Sequence, residues 1–103
     1  MKKVINTIPD NPVQLYSCTA TVSNSGLVSY RTRIVAISDK TIKMHLVHTN
    51  TTMMHVRKYI KLLRACDYAF TANIVEALYH MCIRHKAQDA VYNLEDGTIS
   101  VTV

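Results

Sequence analysis

Hydrophobic and polar residues alternate along the first half of the chain with the period of two that is typical of β-strands. The pattern covers residues 15–22, 27–37 and 41–47, with turn-forming residues between the runs, among them Gly26, which is suited to a positive φ. The alternation predicts an antiparallel meander of three strands. The residues predicted to face inward are Tyr16, Cys18, Ala20, Val22, Val28, Tyr30, Thr32, Ile34, Ala36, Ile42, Met44 and Leu46.

The period changes to that of a helix after residue 48. Potential N-cap residues at 49–52 precede an apolar stripe that predicts a helix of about three turns. A second helical pattern begins near Thr71 or Asn73 and ends near Lys86, and Asn73 and Glu76 have the spacing of a capping box. The conformation of the connection 65–70 is not predicted. The predicted apolar faces contain Met53, Val56, Ile60 and Leu63 in the first helix and Ile74, Leu78 and Met81 in the second.

Asp96 and Gly97 lie between two further alternating runs and are a strong signal for a β-hairpin. If these two residues form the loop, the predicted pairs are Leu94 with Ile99, Tyr92 with Val101, and Ala90 with Val103. The element order is then β-β-β-α-α-β-β. It predicts an α+β fold in a single domain, 1–103, with a mostly antiparallel sheet and two helices packed on one face.

The composition limits the class of protein. Of the 103 residues, 49% are hydrophobic and 18% are charged, as in globular domains. The three cysteines have unrelated spacings, which argues against a disulfide framework and for a reducing compartment. No apolar run has the length of a signal peptide or a membrane span. The expected location is therefore the cytoplasm, without membrane contact.

Positive charge is concentrated in the middle of the chain. From residue 31 to 64, eight basic residues stand against Asp39, a balance of +7, whereas in 65–103 two basic residues stand against five acidic ones, a balance of −3. One flank is therefore predicted to meet an anionic partner, and a solvated face that only maintains solubility is the alternative. The residues predicted to form this basic binding face are Arg31, Arg33, Lys43, His45, Arg57, Lys58, Lys61 and Arg64.

Thr51, Thr52 and His55 stand where the chain leaves a strand and begins a helix. Free backbone N–H groups and hydroxyls at such a point can hold a phosphate or a carboxylate. The alternative, and the commoner case, is ordinary capping by Thr51 or Thr52. These three residues therefore form a candidate anion site with a structural alternative.

Catalytic and metal chemistry find little support in the sequence. His80, Cys82 and His85 supply too few ligands on one side of a helix for a structural zinc site. Cys82 lies toward the predicted apolar face, where a thiol is inert. The sequence therefore predicts no catalytic residue, no metal and no cofactor, and the protein is not expected to be an enzyme.

Tyr30-Arg31-Thr32-Arg33-Ile34 has the pattern Tyr-x-Thr-x-Ile, and Thr51-Thr52-Met53-Met54-His55 has the pattern Thr-Thr-x-x-His. In these two motifs the chain resembles a loosely defined family of small, uncharacterised tailed-bacteriophage proteins, over about residues 28 to 60. Asn50 stands where the family pattern usually has Ser. The matching positions are Tyr30, Thr32, Thr51, Thr52 and His55, which either stitch the strand to the helix cap or serve a ligand.

The resemblance implies a compact accessory protein in the host cytoplasm that binds and disables a host factor, such as a defence or transcription component. The basic face would then meet an acidic surface of a host protein or nucleoprotein. The alternative is an accessory protein that binds nucleic acid through the same face. A homodimer, formed through an exposed strand edge or the helix surface around Met53 and Met54, is left open.

Overall fold

The computed structural model describes residues 12–15 and 19–102. The strands are β1 (Val13–Gln14), β2 (Ala20–Ser23), β3 (Gly26–Ser29), β4 (Thr32–Ile37), β5 (Thr41–His45), β6 (Asp89–Asn93) and β7 (Ile99–Thr102), and the helices are α1 (Asn50–Ala65) and α2 (Ala69–His85). The strands form one antiparallel sheet in chain order, and both helices lie between β5 and β6 in the sequence. The predicted α+β class and antiparallel sheet are confirmed, although five described strands, rather than three, precede the helices.

Alternate residues of β5 show which face of the sheet meets the helices. Ile42 and Met44 are buried, whereas Lys43 between them is exposed. Helix α2 packs on β5, β6 and β7, and helix α1 packs on β3. Because successive side chains of a strand point to opposite faces, Lys43 lies on the face away from the helices. The prediction for this strand, including an inward Leu46, is confirmed.

The run 27–37 is not one strand, because Tyr30 and Arg31 form a turn that joins β3 to β4. Tyr30 has a φ of +57° and is 62% exposed. Thr32, which follows the turn, is exposed as well. The prediction that Tyr30 and Thr32 face inward is therefore wrong. Neither residue of the turn is a Gly, Asn or Asp, so the residue types at these positions do not predict a turn.

The side chains of β3 and β4 also differ from the prediction. Leu27 and Ser29 are buried in β3, whereas Val28 is only half-buried. In β4, Ile34 and Val35 are consecutive and both buried, which a strict alternation does not allow. A register shift between β3 and β4 explains this, because Leu27 pairs with Val35 while Val28 pairs with Arg33. Such a bulge leaves Ile34 as an extra residue.

The remaining inward predictions have mixed outcomes. Ala20, Val22 and Ile34 are buried as predicted. Ala36 is half-buried and pairs with Lys43 on the face away from the helices, so its inward prediction is wrong. Tyr16 and Cys18 lie outside the described residues. The β2–β3 turn at residues 24–25 leads into Gly26, whose φ of +128° confirms the predicted positive value.

Helix α1 begins one residue after Thr49, which is its N-cap. The side-chain Oγ1 of Thr49 accepts a hydrogen bond of 3.2 Å from the backbone N–H of Thr52. The N-cap therefore lies within the predicted cluster 49–52, but at Thr49 and not at Thr51 or Thr52. Helix α1 spans 16 residues, more than the about three turns predicted. Of its predicted apolar stripe, Val56, Ile60 and Leu63 are buried and Met53 is half-buried.

Helix α2 begins at Ala69, two residues earlier than the earliest predicted start. Asn73 and Glu76 lie inside the helix, where both accept hydrogen bonds from the side chain of Arg64. The predicted capping box is therefore wrong. The join with α1 includes Asp67 at a φ of +63°, a left-handed conformation that Asp tolerates better than most residues.

The β6–β7 hairpin has a longer loop than predicted. Tyr92 pairs with Ile99 and Ala90 pairs with Val101, so the predicted register is wrong by two residues. The backbone N–H of Asn93 donates to the carbonyl of Thr98. The loop therefore comprises residues 94–97 and not only the predicted pair Asp96-Gly97. A shift of two residues keeps every side chain on its predicted face. Val103 lies outside the described residues.

The helices that the structure describes are too short and too polar to cross a membrane.

Candidate functional site

A basic groove runs between the two helices. Its volume is about 210 Å³. Arg57, Lys61 and Arg64 line it from α1, and Glu76 and His80 line it from α2. The three cations are spaced at i, i+4 and i+7, so they share one side of the helix. We call this feature the helical groove, defined by Arg57, Ile60, Lys61, Arg64, Glu76, Tyr79 and His80.

Groups on α2 hold the two arginines of the helical groove in place. The Nη1 of Arg57 donates a hydrogen bond of 3.0 Å to the hydroxyl of Tyr79. The two Nη groups of Arg64 donate to the carboxylate of Glu76 at 3.1 and 3.4 Å. This ion pair holds the pKa of Glu76 below its ordinary value. The guanidinium groups are therefore oriented before any partner arrives.

Lys61 lies between these two arginines and is exposed. It makes no hydrogen bond or ion pair to another described residue. The helical groove therefore contains three cations and one carboxylate, and Lys61 is the cation with the most freedom to contact a partner.

A second group of predicted residues lies on the open face of the sheet. Arg33, Lys43 and His45 line a shallow depression of about 180 Å³ together with Asp89. The Nδ1 of His45 lies 2.8 Å from the carboxylate of Asp89. Arg33 donates to the backbone carbonyl of Ser25 at 3.2 Å. Two of these three basic side chains are therefore already engaged within the protein.

The predicted basic binding face is divided between these two places. The helical groove and the sheet depression share no residue, and Lys43 faces away from the helices. Arg31 is exposed in the β3–β4 turn, and Lys58 is half-buried on α1, where its charge acts on His55. The expectation of one shared patch is not met, because the helices cover one face of the sheet and the strand cations occupy the other.

The predicted anion site at the start of α1 is a buried polar cluster. His55 is 1% exposed, and its Nδ1 lies 2.7 Å from the Oγ of Ser29. The hydroxyl of Thr52, which is also buried, lies 3.5 Å from the same Oγ. We call Ser29, Thr52 and His55 the strand–helix lock, since they join β3 to the first turns of α1. Thr51 is half-buried beside it.

Tyr30 packs beside the strand–helix lock. Its ring centroid lies 6.0 Å from that of His55, at an interplanar angle of 51°. Burial, together with the nearby charge of Lys58, holds the pKa of His55 below its ordinary value. A neutral, enclosed histidine is poorly suited to bind an anion. The geometry therefore favours the structural interpretation of Tyr30, Thr52 and His55, while Thr32 is exposed opposite Ser29.

Sequence reasoning placed Ser29 on the polar, outward side of a strand and so missed its role in the lock. The turn at residues 30–31 causes the difference, because it ends β3, so the alternation of β4 does not extend back to Ser29, which shares the buried face of Leu27. A sequence signal exists, since a polar residue two positions after the buried Leu27 shares its face. A buried hydroxyl needs a hydrogen-bond partner, and His55 is the partner.

The cysteines and histidines do not form a reactive site in the described part of the chain. Cys66 and Cys82 are both buried. Burial raises the pKa of Cys66 above its ordinary value and that of Cys82 to about 11, so both thiols stay protonated near neutral pH. Among residues 12–15 and 19–102, no group of three or more potential ligands could hold a metal ion.

Tyr59 is fully buried in α1, and its hydroxyl has no hydrogen-bond partner among the described residues. Burial raises the pKa of this hydroxyl above its ordinary range. We expect Tyr59→Phe to increase the free energy of unfolding by up to about 1 kcal/mol, because an unpaired buried hydroxyl costs desolvation energy. Urea titration of both proteins checks this. A loss of more than about 1 kcal/mol would show that the hydroxyl is satisfied.

No protein-family model, curated protein or solved structure matches this chain.

Proposed function

We propose that this protein is a non-enzymatic accessory protein that binds an acidic segment of another protein through the helical groove. The observation that carries the proposal is the row Arg57, Lys61 and Arg64, whose two arginines are held in position by α2. Oriented arginines lose less conformational entropy when they bind a carboxylate. The groove is therefore suited to a partner with carboxylates at similar spacing.

The sheet depression is the weaker candidate for the same role. His45 faces Asp89 at 2.8 Å, and Arg33 is bonded to the carbonyl of Ser25. Its arginine, its lysine and Asp89 give a charge balance of +1, whereas the three cations and Glu76 of the helical groove give +2. The helical groove, in contrast, has Lys61 exposed between two oriented guanidinium groups.

An acidic protein segment fits the helical groove better than nucleic acid does. From Arg57 to Arg64 the helix rises about 10 Å. Strong binding to a nucleic-acid backbone typically uses roughly 6–10 phosphate contacts, whereas the groove offers three cations. A short segment with two or three carboxylates matches this footprint.

Burial also favours binding over catalysis. The Ser29 and His55 pair has the residue types of a nucleophile and a base, but the two side chains are 2% and 1% exposed. A substrate has no access to such a pair, and the protonated thiols of Cys66 and Cys82 are buried as well. These facts support a binding role for the described surface.

The resemblance to phage accessory proteins extends the proposal to the kind of partner. On this reading the acidic segment belongs to a host protein or nucleoprotein, such as a defence or transcription component in the host cytoplasm. When the helical groove covers that segment, cationic groups that the partner normally binds there would be excluded. The proposed outcome is inhibition without chemical change of the partner.

Charge reversal at Lys61 tests the role of the helical groove. We expect Lys61→Glu to lower the affinity for the captured partner at least about tenfold, because it places a negative charge between Arg57 and Arg64. The matched control is Lys43→Glu, which makes the same charge change at an exposed position of the sheet depression. The measurement is capture from a bacterial host lysate, mass spectrometry, and then titration of the purified partner with each variant.

If the proposal is wrong, the effects of the two variants on partner binding should be reversed. Loss of binding by Lys43→Glu, with binding by Lys61→Glu intact, would move the interface to the sheet depression. Titration of labelled duplex and single-stranded DNA and RNA at low and physiological salt tests the alternative function. Tight binding that weakens steeply as the salt concentration rises would show that the partner is nucleic acid and not an acidic protein.

A further inference from the structure

Strand β7 forms one edge of the sheet in the described part of the chain. It pairs with β6 on one side, and no described strand pairs with its other side. At the opposite edge, β1 is only two residues long. An open edge exposes unpaired backbone groups and is a template for another strand.

The direction of the unpaired groups follows from the hairpin. Asn93 donates its N–H to the carbonyl of Thr98, so this pair belongs to the hydrogen-bonded type. Such pairs alternate along an antiparallel ladder, and Ser100 and Thr102 therefore direct their backbone groups toward β6. Ile99 and Val101 direct their N–H and C=O groups outward, away from the sheet.

The edge lacks the features that usually prevent strand addition. Natural edges carry charged residues, prolines or bulges, and β7 consists of Ile-Ser-Val-Thr with a regular register to β6. A groove of about 540 Å³ between α2 and β7 lies beside it, lined by Met81, Ile83, Arg84 and Ile99 among others. Ile83 and Ile99 are 40% and 38% exposed.

We propose that β7 pairs with β7 of a second copy of this chain, in an antiparallel homodimer with one continuous sheet. With Ile99 opposite Val101 of the second copy, the two outward residues of each chain exchange both backbone hydrogen bonds with the other chain. The two-fold axis then passes beside Ser100. Ile99 and Val101 of both copies meet on the helix side, where the grooves along α2 adjoin.

Charge at the two ends of β7 favours pairing with a second copy. Glu95 and Asp96 lie in the loop before β7. At the other end, Thr102 pairs with Asp89, which follows the basic end of α2 with Arg84 and Lys86. Antiparallel pairing brings the acidic loop of each copy toward this basic end of the other copy. Asp89, the acidic residue at this end, already has a partner within its own chain, His45. The strand itself carries no charge that would repel its copy.

The first experiment measures oligomeric state by sedimentation equilibrium. We expect wild-type protein to be a dimer and Val101→Pro to raise the dimer dissociation constant at least about tenfold. Proline removes an N–H that faces outward and not toward β6, so the monomer should still fold. Val101→Ala, which retains the N–H, is the matched control and should still dimerise. Circular dichroism confirms folding of each variant.

The second experiment places a cysteine on the proposed axis. In the proposed register Ser100 faces Ser100 of the second copy at a Cα distance of about 4.5 Å, within disulfide range. We expect Ser100→Cys to form a covalent dimer on mild oxidation much faster than Thr102→Cys or wild type. Equal cross-linking of both variants would overturn the register.

A monomeric wild type at high concentration would overturn the homodimer and leave the edge to a strand of a foreign protein. A dimer that survives Val101→Pro would place the interface elsewhere. This proposal does not rest on the helical groove, since Lys61→Glu and Val101→Pro affect different contacts.

Discussion

Gly26→Ala is expected to lower the free energy of unfolding by about 4 kcal/mol. Gly26 begins β3 at a φ of +128°, a conformation that side chains rarely adopt. A Cβ added there would lie 1.8 Å from the backbone carbonyl oxygen of Val35. This atom belongs to the neighbouring strand and cannot move aside as a flexible side chain can. The β3–β4 pairing must therefore shift to admit the methyl group.

Thermal unfolding followed by circular dichroism measures the effect of Gly26→Ala, with an expected decrease in Tm of roughly 15–30 °C. Gly97→Ala is the matched control. Gly97 also has a positive φ, +72°, but its added Cβ would meet only the hydroxyl of Tyr92 at 3.6 Å. We expect this variant to lose about 1–2 kcal/mol, from backbone strain alone. Equal losses in the two variants would contradict the proposed clash at Gly26.

The sequence predicts this fold best where local pattern and pairing agree. Strand β5 is paired on both sides, by β4 and β6, and it is buried on one face, so its alternation survives intact. The turn at Tyr30 and Arg31 breaks the alternation between β3 and β4. The sequence does not predict this turn, because a tyrosine at positive φ has no local sequence signal. The pattern around Asp96-Gly97 predicts the correct faces of this hairpin, although its loop length depends on backbone hydrogen bonds that residue types do not specify.

The candidate site was predicted only in part. The i, i+4, i+7 spacing of Arg57, Lys61 and Arg64 is visible in the sequence, and the structure places all three in one groove. Their contacts with Tyr79 and Glu76 depend on how α1 packs against α2, which no spacing within one helix reveals. The division of the basic residues between two faces has the same origin, since it follows from where the helices cover the sheet.

His55→Ala is expected to lower the free energy of unfolding by about 3 kcal/mol. The change leaves a cavity in place of a side chain that is 1% exposed, and it removes the hydrogen-bond partner of the buried Ser29 hydroxyl. Ser29→Ala should cost less, about 1–2 kcal/mol, because the imidazole then loses its partner without a large loss of packing. Urea titration at neutral pH gives both values. His45→Ala is the control at a half-exposed histidine, with an expected loss below about 1 kcal/mol.

The same histidine should make the stability of the protein depend on pH. Because the pKa of His55 is lowered in the folded protein, the unfolded chain binds a proton at a higher pH than the folded protein does. Between these two pKa values the unfolded state carries more protons, so the free energy of unfolding falls as pH decreases below about 6.5. The contribution is complete above the unfolded pKa. The strand–helix lock therefore weakens in mild acid.

Urea titrations of wild type and His55→Gln at several pH values between neutral and mildly acidic conditions isolate this term. Glutamine has no proton to gain, so the difference in stability between the two proteins should shrink as the pH falls. A constant difference would show that His55 titrates alike in the folded and unfolded states. Because the lock fixes the start of α1 against β3, acid should also reduce partner binding by the helical groove, in proportion to the protein that unfolds.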